Sequence, residues 1–533
     1  MKKVLILIIL FLFPLVNSQP ILNADTSELE IVQKGEIELN NVYSIDVKFF
    51  VYPKSDYFSE VLSTSTNPSS EFKEDSYIFS WKNPDSKIDY EVISLVKNDF
   101  SVRNLNKEIN FPFDIPKEYI KYTESSEVCD SNNLEIKKVA NSLALGENNS
   151  IKVLFNLAEW VNSNIEYDLA YSENTIKASE VLELKKGTCD EFSNLVMALA
   201  RSLNLPVRYV TGYSYGTYGD EGFEAHGWVE AWVPEFGWIP IDPTYGEFGW
   251  LDVSHIKGMS SENPGVSSVE YNWLKGEIID ANLYNEIEII SSQGEISNYL
   301  EGELFLEKEV VSPGSCNVIW MNLSNPTDSY ISTLASLTVA PELLTKNDQM
   351  ILLEPYGSDK IGWIIKYPNN LSSEYVYTYS INGSAYLLED LSTENKVSSF
   401  GEFLDIDYCE ALVTLEENSN SSLIKEIDAK ILVPKEVKLG EVYSVEVILK
   451  NLGEIPIEDL GVCLEGECKE VYLGINTQET VLFERKSSSL GNSSLNFVFK
   501  NVNLASETIT IQVVEKSLIE KLISILKNLF KLN

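Results

Sequence analysis

The chain reads as a multidomain protein: an α+β core, helices first and an antiparallel sheet after, flanked on both sides by β-sandwich domains. Three observations lead there. At 533 residues it exceeds what one hydrophobic core holds, so three or four units of roughly 100–150 residues are expected. Strand-like alternation fills 19–125 and again most of 285–515. Between these stretches the apolar residues adopt helical spacing and then return to strand spacing. A hydrophobic fraction of 44% and an aromatic fraction of 11% are those of a packed chain, not a disordered one. The formal net charge of −40 favours solubility, repels nucleic acid and anionic membranes, and removes DNA and RNA from the partners considered.

Residues 1–18 read as a signal peptide. Lys2 and Lys3 precede an apolar run from Val4 to Val16, and Val16-Asn17-Ser18 offers a cleavage site before Gln19. An uncleaved anchor is the alternative, although the run is shorter than the ~20 apolar residues of a membrane span. Either way the expected location is secreted or cell surface. N-x-Ser sequons at Asn148, Asn322, Asn370, Asn382, Asn420 and Asn492 agree weakly. Export permits disulfides. Cys463 and Cys468 are spaced to close a hairpin, Cys316 and Cys409 flank one β-region, and Cys129 has no obvious partner. With no C-x-x-C pair and two histidines, no zinc site is expected, and with no EF-hand calcium loop, no cofactor.

Residues 19–125 form an N-terminal β-domain without visible chemistry, built on runs such as 42–53, 77–81 and 90–98. The core is placed at 130–280. Its helices are expected over 151–165, with Val153, Leu157, Trp160 and Val161 on one face, over 178–185, and over 189–203, with Phe192, Leu195, Val196, Leu199 and Leu203 at helical spacing. Gly187 suits a C-terminal cap. Strands follow from Val207, Ala225 and Gly237. A β-sandwich is expected over 285–415, and a second over 425–515 that looks immunoglobulin-like. Residues 517–533 read as an amphipathic helix with Leu518, Leu522, Ile525, Leu526 and Leu529 on one face. It packs on the last domain, lies in a membrane interface as a peripheral contact, or self-associates.

The chemistry gathers between 187 and 246. Thr188 and Glu191 have the spacing of a capping box, which puts Cys189 at the first helical position. Helix-start N–H groups favour a thiolate there, but Asp190 and Glu191 oppose it, so a cationic partner is required. Only His226 and His255 can supply an imidazolium. His226 shares a strand face with Trp228, Glu230 and Trp232, and Asp242 ends the neighbouring strand, where a carboxylate can orient the ring. His255 is expected to be structural or at the site's rim, with a substrate contact as the alternative.

The run from Lys185 through "KGTCDEF", "AHGWVEAW" and "IDPTYGE" resembles the transglutaminase-like superfamily, a papain-type group with the order Cys, His, Asp. The resemblance spans about 150–260. It implies a papain-like α+β catalytic core with Cys189 as nucleophile, His226 as base and acid, and Asp242 as orienting carboxylate. It also implies a cysteine protease, amidase or acyltransferase working on a protein or peptide substrate through a thioacyl intermediate. The backbone N–H of Cys189 is the expected oxyanion donor. A side-chain donor, from near Trp160 or from Tyr167, stays open. The rival reading is a surface scaffold that grips peptide through the same domain without turnover.

Overall fold

A computed structural model describes residues 21–171, 175–216, 222–414, 427–453, 455–500 and 507–515. The expected signal peptide at 1–18 and amphipathic helix at 517–533 lie outside them.

Two four-stranded sheets form the N-terminal part. One runs Glu277–Gln293, Thr26–Asn40, Lys87–Asp99, Ser59–Asn67; the other runs Val269–Leu274, Ser44–Phe49, Ser76–Lys82, Glu71–Lys73. Strand alternation is strict in Thr26–Asn40, which buries Leu29, Ile31, Ile37 and Leu39. The pairing corrects the expected boundary at 280. Residues 269–293 belong to the N-terminal sheets, because Glu277–Gln293 hydrogen-bonds along the open edge of Thr26–Asn40 from end to end. An open edge of that length needs a partner, and the chain supplies it only after building the core.

That core is an α+β layer pair. Helices α1 (Leu134–Leu143), α2 (Ser150–Asn164), α3 (Ala178–Leu184) and α4 (Cys189–Ser202) precede strands β1 (Val207–Gly216), β2 (Gly222–Val233), β3 (Gly237–Asp242), β4 (Glu247–Phe248) and β5 (Ile256–Ser261). The strands form one antiparallel sheet ordered β4-β3-β2-β1-β5. Helix α1 was not expected from the apolar spacing. It starts on Asn133, whose side chain accepts from the N–H groups of Glu135 and Ile136. Helix α4 is buried from Glu191 to Ser202. Its Leu195, Val196 and Leu199 join Val229, Ala231, Ile239 and Ile241 from one face of the sheet in a single apolar core. Alternation along β2 therefore turns Trp228 and Glu230 to the other face.

Residues 301–397 build two further sheets around Trp363 and Met321. The disulfide Cys316–Cys409 ties this region to a helix, Ile406–Thr414, at the end of the stretch expected as a β-sandwich. The last region pairs a three-stranded with a five-stranded sheet, and Cys463–Cys468 bridges directly opposed positions of its hairpin. The 301–397 region is fastened to the core: Trp250 Nε1 donates to the Ser332 carbonyl at 3.0 Å, and Ser332 Oγ donates to the Phe248 carbonyl at 2.8 Å. These bonds hold the segment that follows Asp242.

Candidate active site

Cys189 opens helix α4 and is half-buried. The acidic residue beside it and the one after it are both occupied. The Glu191 carboxylate turns inward and accepts from the N–H (2.9 Å) and hydroxyl (2.8 Å) of Thr188. Burial pushes the Glu191 carboxyl above its usual range, although the Thr188 bonds oppose this. Asp190 accepts a hydrogen bond from the Tyr209 hydroxyl of β1 and lies 3.9 Å from the Cys189 sulfur. Burial, then the charge of Asp190, holds the Tyr209 phenol well above its ordinary value, so it stays a donor. The charges that oppose a thiolate are thus partly absorbed by local bonds.

Gly187 has a different role from the cap expected of it. The left-handed residue ending α3 is Lys185, at φ 57°. Gly187 is extended, paired with Tyr167 in a short parallel ladder. A Cβ on it would fall 2.2 Å from Glu191 Cβ, so close approach is what requires glycine.

His226 is on β2, and the strand is locked to the helix one residue away. Ser193 Oγ donates to the Gly227 carbonyl at 3.0 Å, and a Cβ at Gly227 would lie 1.9 Å from the Tyr209 hydroxyl. The Cys189 thiol is close enough to the His226 imidazole to raise its pKa. Its Nε2 lies 2.5 Å from Asp242 Oδ2, which leaves Nδ1 as the nitrogen for the thiol. Asp242 ends β3 and is fully buried. Its Oδ1 accepts from the N–H groups of Thr244 (2.8 Å) and Tyr245 (3.2 Å), so the turn after the strand fixes the carboxylate. Burial alone pulls the His226 pKa down. The charge of Asp242 and its hydrogen bond, with the thiol's contribution, reverse that and push it up to about 9. For Asp242 burial pushes upward, but the two imidazoles outweigh it and hold the carboxyl well below its usual range.

His255 is not at a rim. It is buried at the start of β5, with Nε2 3.1 Å from the same Asp242 Oδ2. Its Nδ1 faces Asp252 Oδ1 at 3.3 Å and Glu247 Oε2 at 3.8 Å. Asp242 therefore sits between two imidazoles. Tyr245 stacks on the His226 ring at 4.9 Å between centroids, closing one side of it. Burial, followed by the charge of Asp252, pushes Glu247 well above the carboxylate range. Two groups of donors are close enough to share an ion: His226, Asp242 and His255, and Glu247, Asp252 and His255.

Trp228 and Trp250 are buried packing residues. Trp232 and Trp238 pack with Tyr119, and Arg208 lies over the Trp238 ring. Tyr167 stays beside the approach to Cys189 through its pairing with Gly187, whereas Trp160 lies under the Lys185 ammonium. The spacing from Asp242 to His255 shows the residue types that surround the carboxylate, but only the fold reveals that Glu247, Asp252 and His255 converge behind it.

Residues 137–243 match the family described as the Transglutaminase-like superfamily. Among curated proteins the chain is 39% identical over 77 residues to protein YebA of Bacillus subtilis, covering 12% of this chain and 10% of that protein. It is 35% identical over 72 residues to a protein-glutamine gamma-glutamyltransferase of Pseudomonas aeruginosa, covering 12% of this chain and 11% of that protein. The chain thus spans about a tenth of the length of these relatives. Among solved structures, red sea bream transglutaminase aligns over 92% of each chain at 12% identity and a TM-score of 0.20.

Proposed function

With residues 137–243 forming a transglutaminase-like domain, we propose that the protein is an exported cysteine enzyme, secreted or held at the cell surface, that acts on peptide or carboxamide bonds. The observation that carries this reading is one chain of contacts. A thiol at a helix start acts on the pKa of a buried imidazole, whose Nε2 lies 2.5 Å from a fully buried carboxylate.

With the His226 pKa pushed up to about 9, an imidazolium is available at neutral pH as counter-ion when Cys189 gives up its proton to attack. The thiolate attacks the substrate carbonyl carbon and a C–S bond forms. Negative charge moves to the carbonyl oxygen, which the Cys189 backbone N–H at the start of α4 is placed to receive. As the C–N bond breaks, the imidazolium gives its proton to the leaving amine. Water or a second amine then adds to the thioester and passes its proton to His226. The C–S bond breaks and the thiolate returns. Water makes the reaction hydrolysis; an amine makes it acyl transfer. Asp242 keeps the ring in one orientation and tautomer throughout.

The test is mass spectrometry of a protein-rich surface extract incubated with the protein and a tagged primary amine. Tagged glutamine side chains or new cleavage products support turnover, each naming its branch. Neither product, together with saturable peptide binding, would replace the enzyme by a peptide-gripping scaffold.

A further inference from the structure

We propose that Glu247, Asp252 and His255 form a binding site for one divalent transition-metal cation of the zinc or manganese class, directly behind Asp242. The starting point is an unexplained carboxylate. Glu247 is 0% exposed, and neither of its oxygens has a hydrogen bond of good geometry, the Asp252 backbone N–H being a weak donor to it. His255 Nδ1 is likewise buried without a bond of good geometry, although Asp252 Oδ1 is 3.3 Å away. Buried polar groups are normally satisfied, and a buried carboxylate left bare calls for an ion or a donor.

The geometry suits an ion. One donor atom from each of the three residues lies within 4.8 Å of the others. Nδ1 is 3.3 Å from the Asp252 oxygen and 3.8 Å from the Glu247 oxygen. Ligands at ~2.1 Å from a tetrahedral zinc ion lie roughly 3.4 Å apart, which falls between these two distances. Both Glu247 oxygens are free to chelate. Asp252 is already held by a turn, with the Ser254 N–H donating to its Oδ1 at 2.7 Å. The other nitrogen of His255 faces Asp242 at 3.1 Å. A ligating histidine usually donates its second N–H to a carboxylate in this way, which fixes its tautomer. Two carboxylates neutralise the charge of the cation. One imidazole with two carboxylates is a borderline donor set, favouring zinc, manganese or ferrous iron over calcium or cuprous copper.

The site also has a structural consequence. Glu247 is on β4 and His255 lies at the entry to β5, the two opposite edges of the core sheet. An ion there staples the crossing segment to both edges and, through His255, fixes the carboxylate that orients His226. The inference does not depend on the proposed activity.

The experiment uses the full chain carrying Cys189→Ala, so that the thiol cannot act as a competing ligand. Protein purified without chelator is assayed for metal by mass spectrometry. It is then stripped in mild denaturant with a chelator and titrated separately with Zn²⁺, Mn²⁺ and Ca²⁺. The expected result is about one equivalent of zinc or manganese per chain, a rise in melting temperature on re-addition, no effect of calcium, and loss of the bound equivalent in Glu247→Gln. If Glu247→Gln fails to fold, the Co²⁺-loaded parent is examined by visible absorption for the bands of a tetrahedral nitrogen–oxygen site. A parent that retains no metal and shows no shift in melting temperature overturns the proposal. So does a folded Glu247→Gln chain that keeps its full equivalent, or cobalt binding without tetrahedral bands.

Discussion

Replacing Asp242 by Asn keeps the shape of the side chain and removes its charge. The consequence can be worked from His226. Its pKa rises from 6.5 to about 9, even though burial pulls the other way and Asp242 supplies the leading upward influence. That rise corresponds to roughly 3 kcal/mol in favour of the imidazolium. Without the charge, burial dominates and the pKa falls to 6.5 or below. At pH 7.5 the protonated fraction then drops from nearly all to about a tenth or less. The imidazolium available to the thiol thus falls about tenfold, before any loss of tautomer control is counted. The stability linkage has a definite sign. A histidine pKa raised on folding contributes stability that is fully present below about 6.5 and lost as pH rises through about 9. Wild-type stability should therefore fall between those limits, and the Asp242→Asn chain should be flatter across them. The assays are turnover of a peptide amide and urea denaturation, each at half-unit pH steps from 5 to 10. A basic limb that stays near 9 in Asp242→Asn would refute the reasoning.

Gly187→Ala should lower stability by about 1–3 kcal/mol and slow Cys189 labelling, because the new Cβ meets Glu191 at 2.2 Å and displaces the start of α4. Calorimetry reads the first effect, and an unchanged melting temperature would contradict it. Cys129 is the other free cysteine among the described residues; burial pushes its thiol up to about 11. Native iodoacetamide treatment at pH 7 should accordingly modify Cys189 and leave Cys129 intact, as peptide mass mapping will show; equal labelling of both would be inconsistent with this.

The parts of the site that local chemistry specifies were legible in the sequence. Thr188 and Glu191 mark a helix start, and alternation along 225–233 separates Trp228 and Glu230 from the apolar face that meets α4. Asp242-Pro243 ends a strand beside that one. The rest depends on long-range geometry. Residues 277–293 read as strand, but nothing local says that they complete an N-terminal sheet more than 200 positions earlier in the chain. Helix α1 does carry a short apolar face, Ile136, Val139, Ala140 and Leu143 at helical spacing, behind the Asn133 cap, but both signals fit within ten residues. Gly187 carries the residue type of a left-handed cap, yet is there for the space Glu191 needs. His255 became a partner of Asp242 only when the segment after β4 crossed the sheet to β5.

The central claim is that His226 activates Cys189, and alkylation tests it most directly. The rate of iodoacetamide labelling at Cys189 is measured across pH 4–10 in the wild type and in His226→Ala. The account predicts rapid labelling of the wild type at neutral pH. In His226→Ala the rate should be sharply lower at pH 7 and recover only as pH approaches or exceeds the free-thiol value of ~8.5. Superimposable pH–rate profiles would show that the imidazole does not control the thiol, and would contradict the account.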